Sequence, residues 1–150
     1  MKKIFKTIAI MTILLGPGCT SKTEETRTNI IEDDVIPIEH NYSEVEEYQI
    51  VWDKMFDVEL TTYYVYFYST TCSHCQELKN YIIEKALDNK NIFFVRASNK
   101  DQITNDPKKI KFAENPGDIW ILGYPSLVKI VEKKSVKNLA GITQIKTELK

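Results

Sequence analysis

The sequence predicts an α/β fold in which helices pack around a small mixed sheet, and three observations lead there. Stretches of helical period alternate with short β-rich runs. Two of those runs, Tyr63 to Tyr68 and Ile92 to Val95, lack polar alternation, as strands buried on both faces do. The chain then closes with two β-rich runs joined by a polar turn and followed by a short helical stretch. At 150 residues, 43% of them hydrophobic, there is material for one domain and one modest core. The 20 basic and 21 acidic side chains leave a net charge of −1, which offers no field to attract nucleic acid. Five Gly and five Pro, against eight Tyr and six Phe, exclude a collagen-like or wholly disordered chain.

The elements follow in order. Ser43 and Glu46 have capping-box spacing, and Val45, Tyr48, Val51, Trp52, Met55 and Phe56 then recur at helical intervals, which predicts a first helix over 43–57. The aromatic and β-branched run at 63–68 predicts a central strand whose rings belong to the core. After Ser69-Thr70-Thr71 comes Cys72-Ser73-His74-Cys75. Leu78, Ile82, Ile83, Ala86 and Leu87 then share one helical face, so the cysteine pair opens a helix. Residues 92–95 predict a second strand. Asp106-Pro107 reads as an N-cap followed by proline at the first helical position, with a helix to about Glu114 stopped by Asn115-Pro116-Gly117. Ser126 to Val131 and Val136 to Ala140 predict a hairpin around Glu132 to Ser135, and Thr143 to Lys150 a final helix.

The chemistry concentrates at the cysteines. A thiol reacts as its thiolate, and a helix N-terminus stabilises that anion through unpaired N–H groups and the helix dipole. Cys72 holds that position. Cys75, one turn on, faces the same side and is placed to attack a mixed disulfide on Cys72, leaving a Cys72–Cys75 bond. His74, inside the loop, is the candidate tuning residue: protonated or hydrogen-bonded toward Cys72, it favours the thiolate and the reduced state. The odd cysteine, Cys19, ends a different pattern. Lys2, Lys3 and Lys6 precede an apolar stretch from Ile8 to Leu15 and then Gly16-Pro17-Gly18-Cys19, the order of an export signal and too short an apolar run to span a membrane.

Both patterns resemble known families. Val65 through Cys75 is similar to the strand and active-site segment of the thioredoxin superfamily, and Gly123-Tyr124-Pro125-Ser126 resembles that family's segment around its cis-proline. Gly141 and the helix after it also fall where the family has a glycine and its last helix. The resemblance covers about residues 43–150 and implies a three-layer α/β/α sandwich with a central mixed sheet and a C-terminal β-hairpin plus helix. It implies thiol-disulfide exchange with protein thiols and disulfides and an unidentified redox partner, without a cofactor or metal. By the same resemblance Pro125 packs against the disulfide and Tyr124 pairs with the substrate backbone, while Ser73 and His74 stand where Gly-Pro is usual. Tyr66 occupies the place where many members carry a buried acid, and Thr71 replaces a tryptophan. Gly16 to Cys19 resembles a bacterial lipobox, although the leucine usual three positions before the cysteine is here Gly16. This implies cleavage after residue 18, a lipid on Cys19 and anchoring outside the cytoplasm.

The expected organisation is a signal peptide over 1–18, a polar tether over 19–41 and a monomeric thioredoxin-like domain over 42–150. A tether of that size has a reach of roughly 25 Å. The short run Val35-Ile36-Pro37-Ile38 is a candidate edge strand, because proline cannot donate to a ladder. Two other readings remain open on residues alone: a copper or other metal carrier using Cys72, Cys75 and His74 or His40, and an exported binding domain with a structural disulfide. His40 otherwise reads as a solvated tether residue, Trp120 as packing or as a rim residue near the cysteines, and Lys108-Lys109 and Lys133-Lys134 as solvated faces.

Overall fold

A computed structural model of the chain describes residues 38–150. The export segment, Cys19, most of the tether and the first three residues of the candidate edge strand lie outside the described residues; Ile38 is exposed and belongs to no strand.

The sheet has four strands in the order β2-β1-β3-β4: β1 Thr62–Tyr68, β2 Ile92–Arg96, β3 Ser126–Val131 and β4 Lys134–Ala140. β1 is parallel to β2 and antiparallel to β3, and β3 is antiparallel to β4. A strand with a neighbour on each edge and a layer on each face has little surface for polar side chains, which is why residues 63–68 of β1 read as an unbroken aromatic and β-branched run. Its alternation sends Tyr66 and Tyr68 to one face and Tyr63, Val65 and Phe67 to the other.

The first face packs against α1, Ser73–Leu87, through Cys75, Leu78, Ile82 and Ile83, and against α2, Ile142–Glu148, through Ile145. The second face is covered by Trp52, Met55 and Phe56 and by Ile119 and Ile121. The buried polar tips there are satisfied: the Tyr63 hydroxyl donates to the Met55 carbonyl (2.9 Å) and the Trp52 indole to the Pro116 carbonyl (3.1 Å).

Several local expectations need correction. The helix over 43–57 is two short 3-10 segments, Tyr42–Tyr48 and Trp52–Lys54. Between them Gln49 makes a parallel bridge to Phe94, and the Ile50 N–H donates to the Phe94 carbonyl (2.8 Å). The free edge of β2 takes these backbone groups, and a continuous helix would forfeit that pairing. The capping box is present two residues early, as Asn41 and Glu44. His40 is not a solvated tether residue: its N–H donates to the Asn80 side chain (3.0 Å) and its Nδ1 meets Glu44 at 2.8 Å, so packing begins before residue 42. The helix expected from Pro107 to Glu114 is a single 3-10 turn, Pro107–Lys109. Beyond it the Ala113 N–H donates to the Ser135 hydroxyl (2.7 Å) and the Ser135 N–H to the Ala113 carbonyl (2.8 Å), pairing this stretch with β4 instead. The hairpin turn is shorter than expected. Glu132 and Lys133, both at positive φ, make a two-residue connection and β4 starts at Lys134.

Candidate active site

The site is assembled where β1 ends, α1 begins and β3 starts. Ser69 to Thr71 form a turn in which the Cys72 N–H donates to the Ser69 carbonyl (3.3 Å), and the Gln76 side chain closes it on the Thr70 carbonyl (2.9 Å). Cys72 is then the N-cap of α1, in extended conformation, with its sulfur accepting the Cys75 N–H at 3.2 Å. A thiol does here what serine or aspartate does at other helix starts. The register of β1 with β3 supplies the other wall. Phe67 is paired with Ser126, so the residues before Ser126 arrive beside the residues after Tyr68. The Tyr124–Pro125 peptide bond is cis, and the Cys72 thiol donates to the Tyr124 carbonyl at 3.5 Å. Gly141, at φ 80°, turns the chain into α2 with its N–H on the Pro125 carbonyl (3.0 Å), a conformation that a side chain would strain.

Both cysteines are free thiols in this structure. The Cys75 thiol donates to the Cys72 sulfur at 2.6 Å. The two differ in exposure: Cys72 is partly open to solvent, and Cys75 is wholly buried in the α1 face of the core. Burial is the main cause pushing the Cys75 thiol up to about 12, with its contact to Cys72 adding to it; the Ser69 backbone and the Tyr66 hydroxyl act in the opposite direction. Two donors converge on the Cys72 sulfur, and of the two it alone is partly open to solvent, so it is the sulfur placed to meet a substrate and Cys75 the one to follow.

The structure brings Cys72, Cys75, Tyr124 and Pro125 together. Ser73 and His74 are exposed on the first turn of α1. Trp120 stands elsewhere: Lys109 lies over its ring at 4.6 Å, and it shares a hollow with Phe112 and Gly117 that includes neither cysteine. Among the described residues no three His, Cys, Asp or Glu side chains gather in a metal-binding arrangement, and His40 is engaged with Glu44. A hollow of about 410 Å³ along the outer edge of β2, lined by Gln49, Trp52, Arg96 and Lys100 among others, also excludes the cysteines.

Two partners of the site have no sequence signal. The Tyr124 hydroxyl donates to the Asp101 carboxylate, which also accepts from the Ser98 hydroxyl at 2.5 Å. Burial, and then that carboxylate, raise the Tyr124 phenol well above its ordinary value. Tyr42, from the first 3-10 segment, stacks on Tyr68 with ring centres 4.0 Å apart and brings its hydroxyl behind Cys75 beside that of Tyr66. Contacts between residues so far apart in the chain leave no local pattern to read.

No protein-family model matches this chain, and no curated protein does. Among solved structures it is similar to a thioredoxin from Plasmodium falciparum, at 14% identity over 67% of this chain and 94% of that one, with a TM-score of 0.44. It is similar as well to thioredoxin f2 from Chlamydomonas reinhardtii, at 16% identity over 67% of this chain and 88% of that one (TM-score 0.41). Mitochondrial thioredoxin 3 from Saccharomyces cerevisiae is a third, at 12% identity over 67% and 88% (TM-score 0.44). The chain's own strand order and its mixed four-stranded sheet with helices form an α/β fold of the kind that the thioredoxin resemblance implies.

Proposed function

We propose that this chain is an exported, lipid-anchored thiol-disulfide oxidoreductase that exchanges its Cys72–Cys75 pair with the thiols and disulfides of protein substrates. The observation that carries this reading is the difference between two sulfurs 2.6 Å apart, one partly exposed at a helix start beside the Tyr124 carbonyl, the other buried behind it. A thiolate at Cys72 attacks a substrate disulfide, forming a mixed disulfide and releasing one substrate thiolate. Cys75, once deprotonated, attacks the Cys72 sulfur, releases the second substrate thiolate and leaves the intramolecular disulfide; the reverse sequence oxidises a substrate dithiol. Tyr124 and Pro125 offer the backbone edge against which an extended substrate segment lies, and Ser73 and His74, both exposed, meet it from α1. A structural disulfide has no use for an exposed sulfur as a helix cap. Export and lipidation rest on Lys2 to Cys19 alone.

Trapping tests the reading. Cys75→Ser is expected to accumulate a mixed disulfide with client proteins through Cys72, and Cys72→Ser to accumulate none. Equal trapping by both variants, or by neither, overturns it.

A further inference from the structure

The core behind Cys75 contains two phenol hydroxyls with nothing to do. Tyr66 is entirely buried on β1, and the Tyr42 and Tyr66 hydroxyl oxygens are both closed to solvent without closing a hydrogen bond of ordinary geometry. A buried, unpaired hydroxyl is costly, so an orphaned pair at one spot calls for a state in which it is used. The rest of the neighbourhood is apolar or already engaged. Leu127 and Phe94 come from the sheet and Ile145 from α2; the Tyr68 hydroxyl donates to Gln49 (3.1 Å), and the Tyr124 hydroxyl is held by Asp101.

We propose that Tyr66 is a positioning residue for the second step of exchange: its hydroxyl donates to the sulfur of Cys75 as that sulfur becomes an anion, and the Tyr42 hydroxyl donates in turn to Tyr66. This deepens, and rests on, the exchange reading. The role is that of a donor and not of a base. Burial holds both phenols far above their ordinary range, so neither surrenders its proton at any pH where the protein works, and neither accepts the one that Cys75 loses. That proton leaves with solvent or with the departing substrate thiolate, while the electron pair on Cys75 forms the new sulfur–sulfur bond and the Cys72–substrate bond breaks. The hydroxyl of Tyr66 lies near enough to Cys75 to favour its ionised form when that form arises, against the opposing effect of burial. A charge-assisted hydrogen bond is worth more than a neutral one, so the pair contributes most when the anion forms and little in the resting dithiol.

An aromatic disulfide, dithiobisnitrobenzoate, separates the two steps in the full chain, because it releases one coloured thiolate when Cys72 captures it and another when Cys75 displaces it. Tyr66→Phe is expected to slow the second release about tenfold and much more than the first, with a smaller effect in the same direction from Tyr42→Phe. Titration of Cys75 by thiolate absorbance in the Cys72→Ser chain gives an independent reading, expected to move upward when Tyr66→Phe is added. A second release unaffected by Tyr66→Phe, both releases slowed equally, or an unmoved titration overturns the proposal while leaving exchange intact. Absence of the first release from the unaltered chain overturns the exchange reading itself, and the Cys75 titration then decides the Tyr66 contact alone.

Discussion

Two stretches of this chain begin with a helix cap and end differently. At Cys72 the cap opens a helix of 15 residues, Ser73–Leu87; at Asp106, whose carboxylate accepts the Lys108 N–H at 3.0 Å and is followed by proline, it opens one 3-10 turn. The caps are comparable, but the residues after them are not. Leu78, Ile82, Ile83 and Ala86 form a stripe buried against the sheet, whereas after Pro107 come Lys108, Lys109 and Lys111 with Phe112 left 70% exposed. A cap satisfies one orphan N–H and helps a helix to start; burial of a continuous apolar face pays for its length. The same contrast separates the two layers over the sheet. One is built from α1, α2 and the first 3-10 segment through Val45, the other from the second 3-10 segment and an extended stretch anchored by Trp52, Ile119 and Ile121.

The contrast can be broken from either side. Ile82→Ala removes the centre of the buried stripe and is expected to cost about 2–5 kcal/mol in urea unfolding, enough to loosen the helix that presents Cys72. A cost below about 1 kcal/mol would show that α1 does not depend on its stripe. Ser135→Ala orphans the buried Ala113 N–H and is expected to cost about 1–3 kcal/mol, with faster amide exchange concentrated in the 107–121 stretch. Unchanged exchange there would mean that the pairing with β4 is not what holds this stretch out of a helix. Asp106→Ala, at an exposed single turn, is expected to cost only about 0.5 kcal/mol; a loss several times larger would make the cap, and not the missing stripe, the element in control.

Much of the site is legible in the order of residues. The unbroken run at 63–68 announces a central strand, the stripe after Cys75 announces α1, and the resemblance around Gly123 to Ser126 points to Pro125 as the far wall. The expectations that fail do so where backbone partners lie far away in the chain. The apolar positions of the expected 43–57 helix do reach the core at Val45, Trp52, Met55 and Phe56, but the edge of β2 draws Gln49 and Ile50 out of helical geometry. The Asp106-Pro107 signal is right about a start and wrong about a length. Tyr66 stands where many thioredoxin-like chains carry an acid, yet nothing local marks Tyr42 as its neighbour or Asp101 as the partner of Tyr124.

By itself the sequence determined which faces are apolar, where the central strand and α1 lie, and that one sulfur caps a helix while another follows a turn later, because these properties depend on the order of neighbouring side chains. Only the tertiary structure decided that Tyr124 and Pro125 meet Cys72, that Cys75 is buried with two unpaired phenols behind it, and that the second layer does without a long helix. Each of those outcomes depends on strand register and on backbone groups finding partners many residues away, and neither leaves a periodic trace along the chain.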